Sequence, residues 1–287
     1  MSELDFISSL RALASHPAAR GLADDAAVLE MGGEALVLTH DAMVEGRHWQ
    51  PGQDMADVAW KLVAASLSDL AAKGAEPLGV LIGHSLGSGD DRFVAGLGEV
   101  LAEYDVPLLG GDTVAGTGPR TLGCTAVGRA THRPVPDRRG ALVGETVYVT
   151  GVFGQAMMGL EELGSGSTND LAYRRPRPLL AEGRALAPLV SAMMDVSDGL
   201  LLDCWRMAEA SGLAFTLESA RVPVADPARA RACLSWGDDY QMLFTAPSYA
   251  RLPVPAAAIG RVEAGPAALL LDGAPLTPGD GIGYRHG

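Results

Sequence analysis

The chain has 287 residues, with 35 acidic against 22 basic side chains and a formal charge of −13. That length fits two domains better than one small core. The charge excludes a nucleic-acid duplex as partner, because the one basic cluster, Arg174, Arg175 and Arg177, with Arg138 and Arg139 further upstream, is enough for one or two phosphates only.

The N-terminus carries early acids and no long apolar core, so it does not read as a signal peptide. Its apolar residues Phe6, Ile7, Leu10 and Leu13 recur at helical spacing, which predicts a short amphipathic helix. Residues 35–39 (ALVLT) read as a buried strand delivering Asp41 at its C-terminal end. Residues 56–74 read as a helix stopped by Gly74 and then Pro77, and 78–86 as a strand. A second helix follows over 90–104, with Asp90 as its N-cap. Leu108 and Leu109 then lead into GGDT, read as a sharp turn, and 121–130 form another strand. The stretch 131–145, rich in Pro, Arg and Gly, is where the chain is expected to divide into domains 1–137 and 138–287. The second half opens with a strand at 145–150, a helix near Phe153 and a small-polar loop at 164–170. A strand at 191–197 runs into a helix closed by Gly212, and short strands follow at 241–245 and 268–271. Alternating strands and helices in both halves predict an α/β (α+β) fold in two domains.

Three cysteines, Cys124, Cys204 and Cys233, stand far apart with no CxxC pair. They offer neither a disulfide framework nor a zinc site, which fits a reducing compartment, and Cys124 reads as core filler. No stretch approaches the ~18 apolar residues of a bilayer span. The expectation is a cytoplasmic protein with no membrane partner.

The informative feature is where the aspartates stand. Asp24-Asp25, Asp41, Asp69, Asp112 and the pair Asp195 and Asp198 are carried by five short motifs that also hold glycine or small residues. Asp69 sits on a helix that is apolar nearly all round, and a lone buried carboxylate costs several kcal/mol unless paired or metal-bound. Lys73, four residues on, is the one helical partner available to it, so an Asp69–Lys73 pair is the plain alternative. Asp198 is equally open to capping the helix after it. Aspartates at strand ends make a site for magnesium and polyphosphate, because magnesium prefers carboxylate and phosphate oxygens. A P-loop, HRD and DFG kinase motifs, a GxSxG elbow, HExxH and a Rossmann GxGxxG are all absent.

GLADDAAVL, LTHDAMVEGRHW, AWKLVAASLSDLAAKGAEPL, GGDTVAG, YVTG, RPRP, MMDVSDGLLLD and GDDYQMLFT occur in an order that resembles the bacterial thiamine-monophosphate kinases, from about Gly21 to Thr245. The resemblance implies an N-terminal α/β domain that forms a homodimer and a C-terminal α/β domain. The fold would be that of the aminoimidazole ribonucleotide synthetase superfamily. It implies transfer of the γ-phosphoryl of ATP to thiamine monophosphate, with several magnesium ions. Carried over by residue, Asp25, Asp41, Asp69, Asp112 and Asp195 match metal ligands, with Thr39, His40 and Asp198 alongside. Asp41, Asp69 and Asp112 are the expected catalytic residues. Gly111, Asp112, Arg138 and Ser197 match ATP contacts, and His48, Asp238 and Tyr284 match substrate contacts. Three departures stand out: Thr39-His40-Asp41 for TTD or STD, GDDYQM for GEDYEL, and Val114-Ala115 where an arginine is usual. A related enzyme with another acceptor, and a non-catalytic nucleotide-binding dimer, remain open on the sequence.

Overall fold

The structure, a computed structural model of the protein, describes residues 3–165 and 170–285. Part of the loop expected at 164–170 therefore lies outside the described residues. The first half runs α1 (Glu3–Arg11), β1 (Ala27–Met31), β2 (Glu34–Val44), α2 (Met55–Ala72), β3 (Ala75–Ser85), α3 (Asp90–Tyr104), β4 (Leu108–Val114) and β5 (Thr121–Ala130). Its strands form one sheet in the order β1-β2-β5-β3-β4, antiparallel except for β3 with β4.

The second half runs β6 (Thr146–Val149), α4 (Gln155–Glu161), α5 (Leu171–Arg174), α6 (Leu180–Leu186), β7 (Ala192–Val196), α7 (Leu200–Ser211) and β8 (Ala214–Leu217). It ends with α8 (Ala230–Ser235), β9 (Gln241–Ala246), β10 (Ala257–Glu263), β11 (Ala268–Leu271) and β12 (Ala274–Leu276). Its seven strands are ordered β12-β11-β8-β10-β6-β9-β7.

Helix α2 is the element that joins the halves. Its Ala- and Leu-rich sequence favours helix, and Asp54 caps it by accepting from the Ala56 N–H. Sixteen of its 18 residues are buried, so it must be covered on every side. It packs against the first sheet and α3, and also against α6 and β7 of the second half. Gly183 of α6 makes that second approach possible, since a Cβ there would stand 2.0 Å from the Ala71 carbonyl oxygen. One continuous core accordingly includes Val37 and Leu62 from the first half and Leu186, Met193 and Phe244 from the second.

The local readings fare unevenly. The strand at 121–130 and the Gly212 cap are found as expected. The strand at 35–39 is longer, reaching Val44, so Asp41 lies within β2 rather than at its end. Pro77 does not stop a helix; it lies inside β3 next to a bulge between Pro77 and Gly79, the position where a strand tolerates a missing donor. GGDT is a strand and not a turn: Gly111 lets β4 close on β3, where a Cβ would meet the Ile82 oxygen at 2.0 Å. Gly89, not Asp90, is the N-cap of α3, and the Asp90 carboxylate instead accepts from the Gly87 N–H and pairs with Arg120. Among the described residues no helix is long and apolar enough to cross a membrane, and all three cysteines are free and buried.

Candidate active site

Strand alternation aims Thr39 and Asp41 of β2 at α2, which answers with Ser66, Ser68 and Asp69. The Thr39 hydroxyl donates to the Asp69 carboxylate. Ser66 donates to Asp41 at 2.6 Å, and Ser68 donates to Asp195 of β7 at 2.6 Å. One carboxylate oxygen from each of Asp25, Asp69 and Asp195 lies within 4.8 Å of the others. Three segments far apart in sequence thus bring their acids to one point, and Asp41 stands beside it.

These acids are not alike electrostatically. Burial pushes the Asp69 carboxyl well above the usual range, and the neighbouring charges of Asp41, Asp195 and Asp25 push it further. Burial, then Asp25, does the same to Asp195. Asp41 is raised by burial, with the Ser66 hydroxyl working against the rise. Asp25 differs: burial would raise it, but Arg138 and Lys73 overcome that and hold it at about 2. The Lys73 ammonium lies 2.5 Å from Asp24 and 2.7 Å from Asp25. The Asp69–Lys73 helix pair therefore does not form; Lys73 is committed to the other acids, and Asp69 accepts from a neutral hydroxyl instead. Negative charge is left over in a cluster of hard oxygen donors, which is what a divalent cation such as magnesium requires.

Asp41 also lines a cleft of ≈ 510 Å³, together with Ser197, Asp198, His48, Asp238 and Tyr284. Aromatic rings of Tyr173, Trp236 and Tyr240 complete its walls. His48 Nδ1 accepts from the Val44 N–H at 2.9 Å, which fixes the ring. Asp238 pairs with Lys61 at 2.7 Å. The Tyr284 N–H donates to the Asp198 carbonyl at 2.8 Å. Asp198 does not cap α7, whose N-cap is Gly199 without a side-chain bond; its carboxylate accepts from Arg206 at 2.5 Å.

Some expected residues stand elsewhere. His40 alternates to the opposite face of β2 from Asp41 and bonds Thr125 at 2.8 Å. Gly111 pairs across β3 and β5 with the Asp41 position, three strands or roughly 14 Å away. Asp112, next along the exposed β4, follows Gly83 and Ala42 onto the outer face. Arg138 is at the cluster through Asp25. The arginines of the basic cluster have carboxylate partners: Arg174 and Arg175 both pair with Asp57, and Arg177 pairs with Glu182. Sequence reasoning passed over Ser66, Ser68 and Lys61. The signal for Lys61 was a lysine inside a helix with no polar face to carry it.

Residues 23–130 match the family AIR synthase related protein, N-terminal domain, and residues 142–269 match the family AIR synthase related protein, C-terminal domain. The thiamine-monophosphate kinase of Caulobacter vibrioides is 38% identical over 250 residues, 79% of this chain and 71% of that protein. That of Escherichia coli strain K12 is 34% identical over 302 residues, covering 93% and 91%. A solved structure of AaThiL complexed with AMPPCP and TMP superposes with a TM-score of 0.90 at 25% identity, covering 100% of this chain and 97% of that one. With both halves matched in order, and identity above 30% across most of its length, the chain belongs to the thiamine-monophosphate kinase family and is a kinase.

Proposed function

We propose that this kinase transfers the γ-phosphoryl group of ATP to the phosphate of thiamine monophosphate, giving thiamine diphosphate. The observation that carries the reading is the convergence of Asp25, Asp69 and Asp195, with Asp41 reaching from that cluster into the cleft. Asp25, Asp41, Asp69 and Asp195 would hold magnesium, with Thr39 orienting Asp69 and Asp198 at the cleft wall. Bound there, magnesium supplies neutralisation of the charge on the transferring phosphoryl group. Arg138 and Ser197 are assigned to ATP; His48, Asp238 and Tyr284 are assigned to the acceptor. The attacking phosphate oxygen is already anionic and needs little help from a base, so the residues' work is to orient the two substrates in line and exclude water. His40, Gly111 and Asp112, which one chain's fold holds away from the cluster, stay outside this assignment.

The domain division is placed between 137 and 138, within the segment that separates β5 from β6. Exposed Leu81, Leu108, Leu109 and Val114 on and beside β4 support a homodimer through the first sheet. A cytoplasmic location is part of the same reading.

The test is chromatography of a reaction holding the protein, ATP, magnesium and thiamine monophosphate. Thiamine diphosphate that disappears with EDTA is the expected result. ADP without thiamine diphosphate would mean another acceptor, and neither product from folded, ATP-binding protein would mean no catalysis.

A further inference from the structure

Lys61 belongs to the buried helix α2 and is 1% exposed. Its ammonium meets three groups from three separate segments. Asp238 accepts from it at 2.7 Å, the His48 carbonyl accepts at 3.2 Å, and the Tyr173 ring lies beneath it at 3.9 Å. The Tyr173 hydroxyl also donates to the His48 carbonyl at 3.3 Å. His48 is in the first half of the chain; Tyr173 and Asp238 are in the second. All three line the cleft.

Asp238 is held through both its backbone and its side chain. It adopts a left-handed φ of 66°, which aspartate tolerates better than most side chains. Its N–H donates to the Ser197 carbonyl at 2.8 Å, and Lys61 takes its Oδ2. Oδ1 carries a 3.3 Å contact from the Tyr240 hydroxyl and is the oxygen that remains to accept from a ligand. Packing alone does not account for a lysine here, because methionine fills a similar volume without the cost of burying an ammonium.

We infer that Lys61 is the positioning residue of the acceptor pocket, fixing Asp238, the His48 backbone and the Tyr173 ring in the arrangement that receives a cationic, amino-bearing heteroaromatic ring. The inference rests on the function proposed above. The aspartate in GDDYQM, one methylene shorter than glutamate, makes that fixing more demanding.

The test is steady-state kinetics with thiamine monophosphate and ATP, alongside thermal melts, for wild type, Lys61→Met, Asp238→Asn and the double variant. Each variant is expected to raise the acceptor KM by on the order of tenfold to a hundredfold, with the ATP KM moving less than about twofold. The double variant should cost less than the product of the two single penalties, because the Lys61–Asp238 contact is lost in all three. Its melting temperature should recover relative to Asp238→Asn, which leaves the buried Lys61 ammonium unpaired. An acceptor KM for Lys61→Met near that of wild type overturns the inference, as do penalties that multiply. If Lys61→Met does not fold, Asp238→Asn against the double variant decides by the same criterion. Wild type that forms no thiamine diphosphate defeats the functional reading, and this inference with it.

Discussion

Asp69 stands among three other carboxylates with a threonine hydroxyl as its hydrogen-bond donor. Replacing it with asparagine keeps an oxygen for that hydroxyl and removes one of the crowded charges. Asp69→Asn is therefore expected to lower turnover on the order of 100-fold or more while its melting temperature stays level or rises. A steady-state assay beside a thermal melt checks both, and normal turnover would remove Asp69 from the metal site. Lys73 shows why pair rules along a helix are weak guides to a buried charge. Spacing offers it to Asp69, but the residues of the segment before β1 reach it first, and two carboxylates outbid one.

At the scale of the element, α2 is both the core of the molecule and the carrier of Lys61, Ser66, Ser68 and Asp69. Its position is set by small residues on both sides of each contact, Gly183 of α6 against Ala71 and Gly96 of α3 against Ala56. Gly183→Ala would drive a Cβ against the Ala71 carbonyl, a backbone atom that cannot turn aside. The expected loss is about 1–3 kcal/mol, read as a lower denaturation midpoint. An unchanged midpoint would show that α6 can shift off α2 without cost. The edges of elements were harder to read than their existence. Helix 56–74 ends at Ala72, and Pro77 misled because a bulge accommodates it within β3. GGDT misled in the opposite way: Gly111 there serves strand-to-strand approach, and nothing local distinguishes that from a turn.

For the whole molecule, the acid cluster links stability to pH and to metal. Asp69 and Asp195 have raised carboxyl pKa values, so from 3.8 upward the folded chain keeps protons that the unfolded chain releases, and stability falls as pH rises through that window. Asp25, held at about 2, acts the other way: its contribution is present above 3.8 and is lost as pH falls towards 2. Magnesium competes with the protons on the raised pair. It should therefore raise the melting temperature more at about pH 8 than at about pH 5, since binding stabilises only the folded state. Equal shifts at both pH values, or none, would count against a metal held by this cluster.

The sequence by itself determined the class of fold, the family, and the aspartate motifs, because these depend on residue types in order along the chain and survive without knowing any contact. It also showed that Asp69 was a carboxylate without a polar helix face. Only the tertiary structure decided which acids meet. Asp25, Asp69 and Asp195 converge because two sheets close on one helix, whereas His40 and Asp112 turn away because strand alternation and an outer position in the sheet direct them outward. The same closure brought Lys61 to Asp238, 177 residues further along. Such pairings are set by packing between the halves, and no local pattern of either segment encodes them.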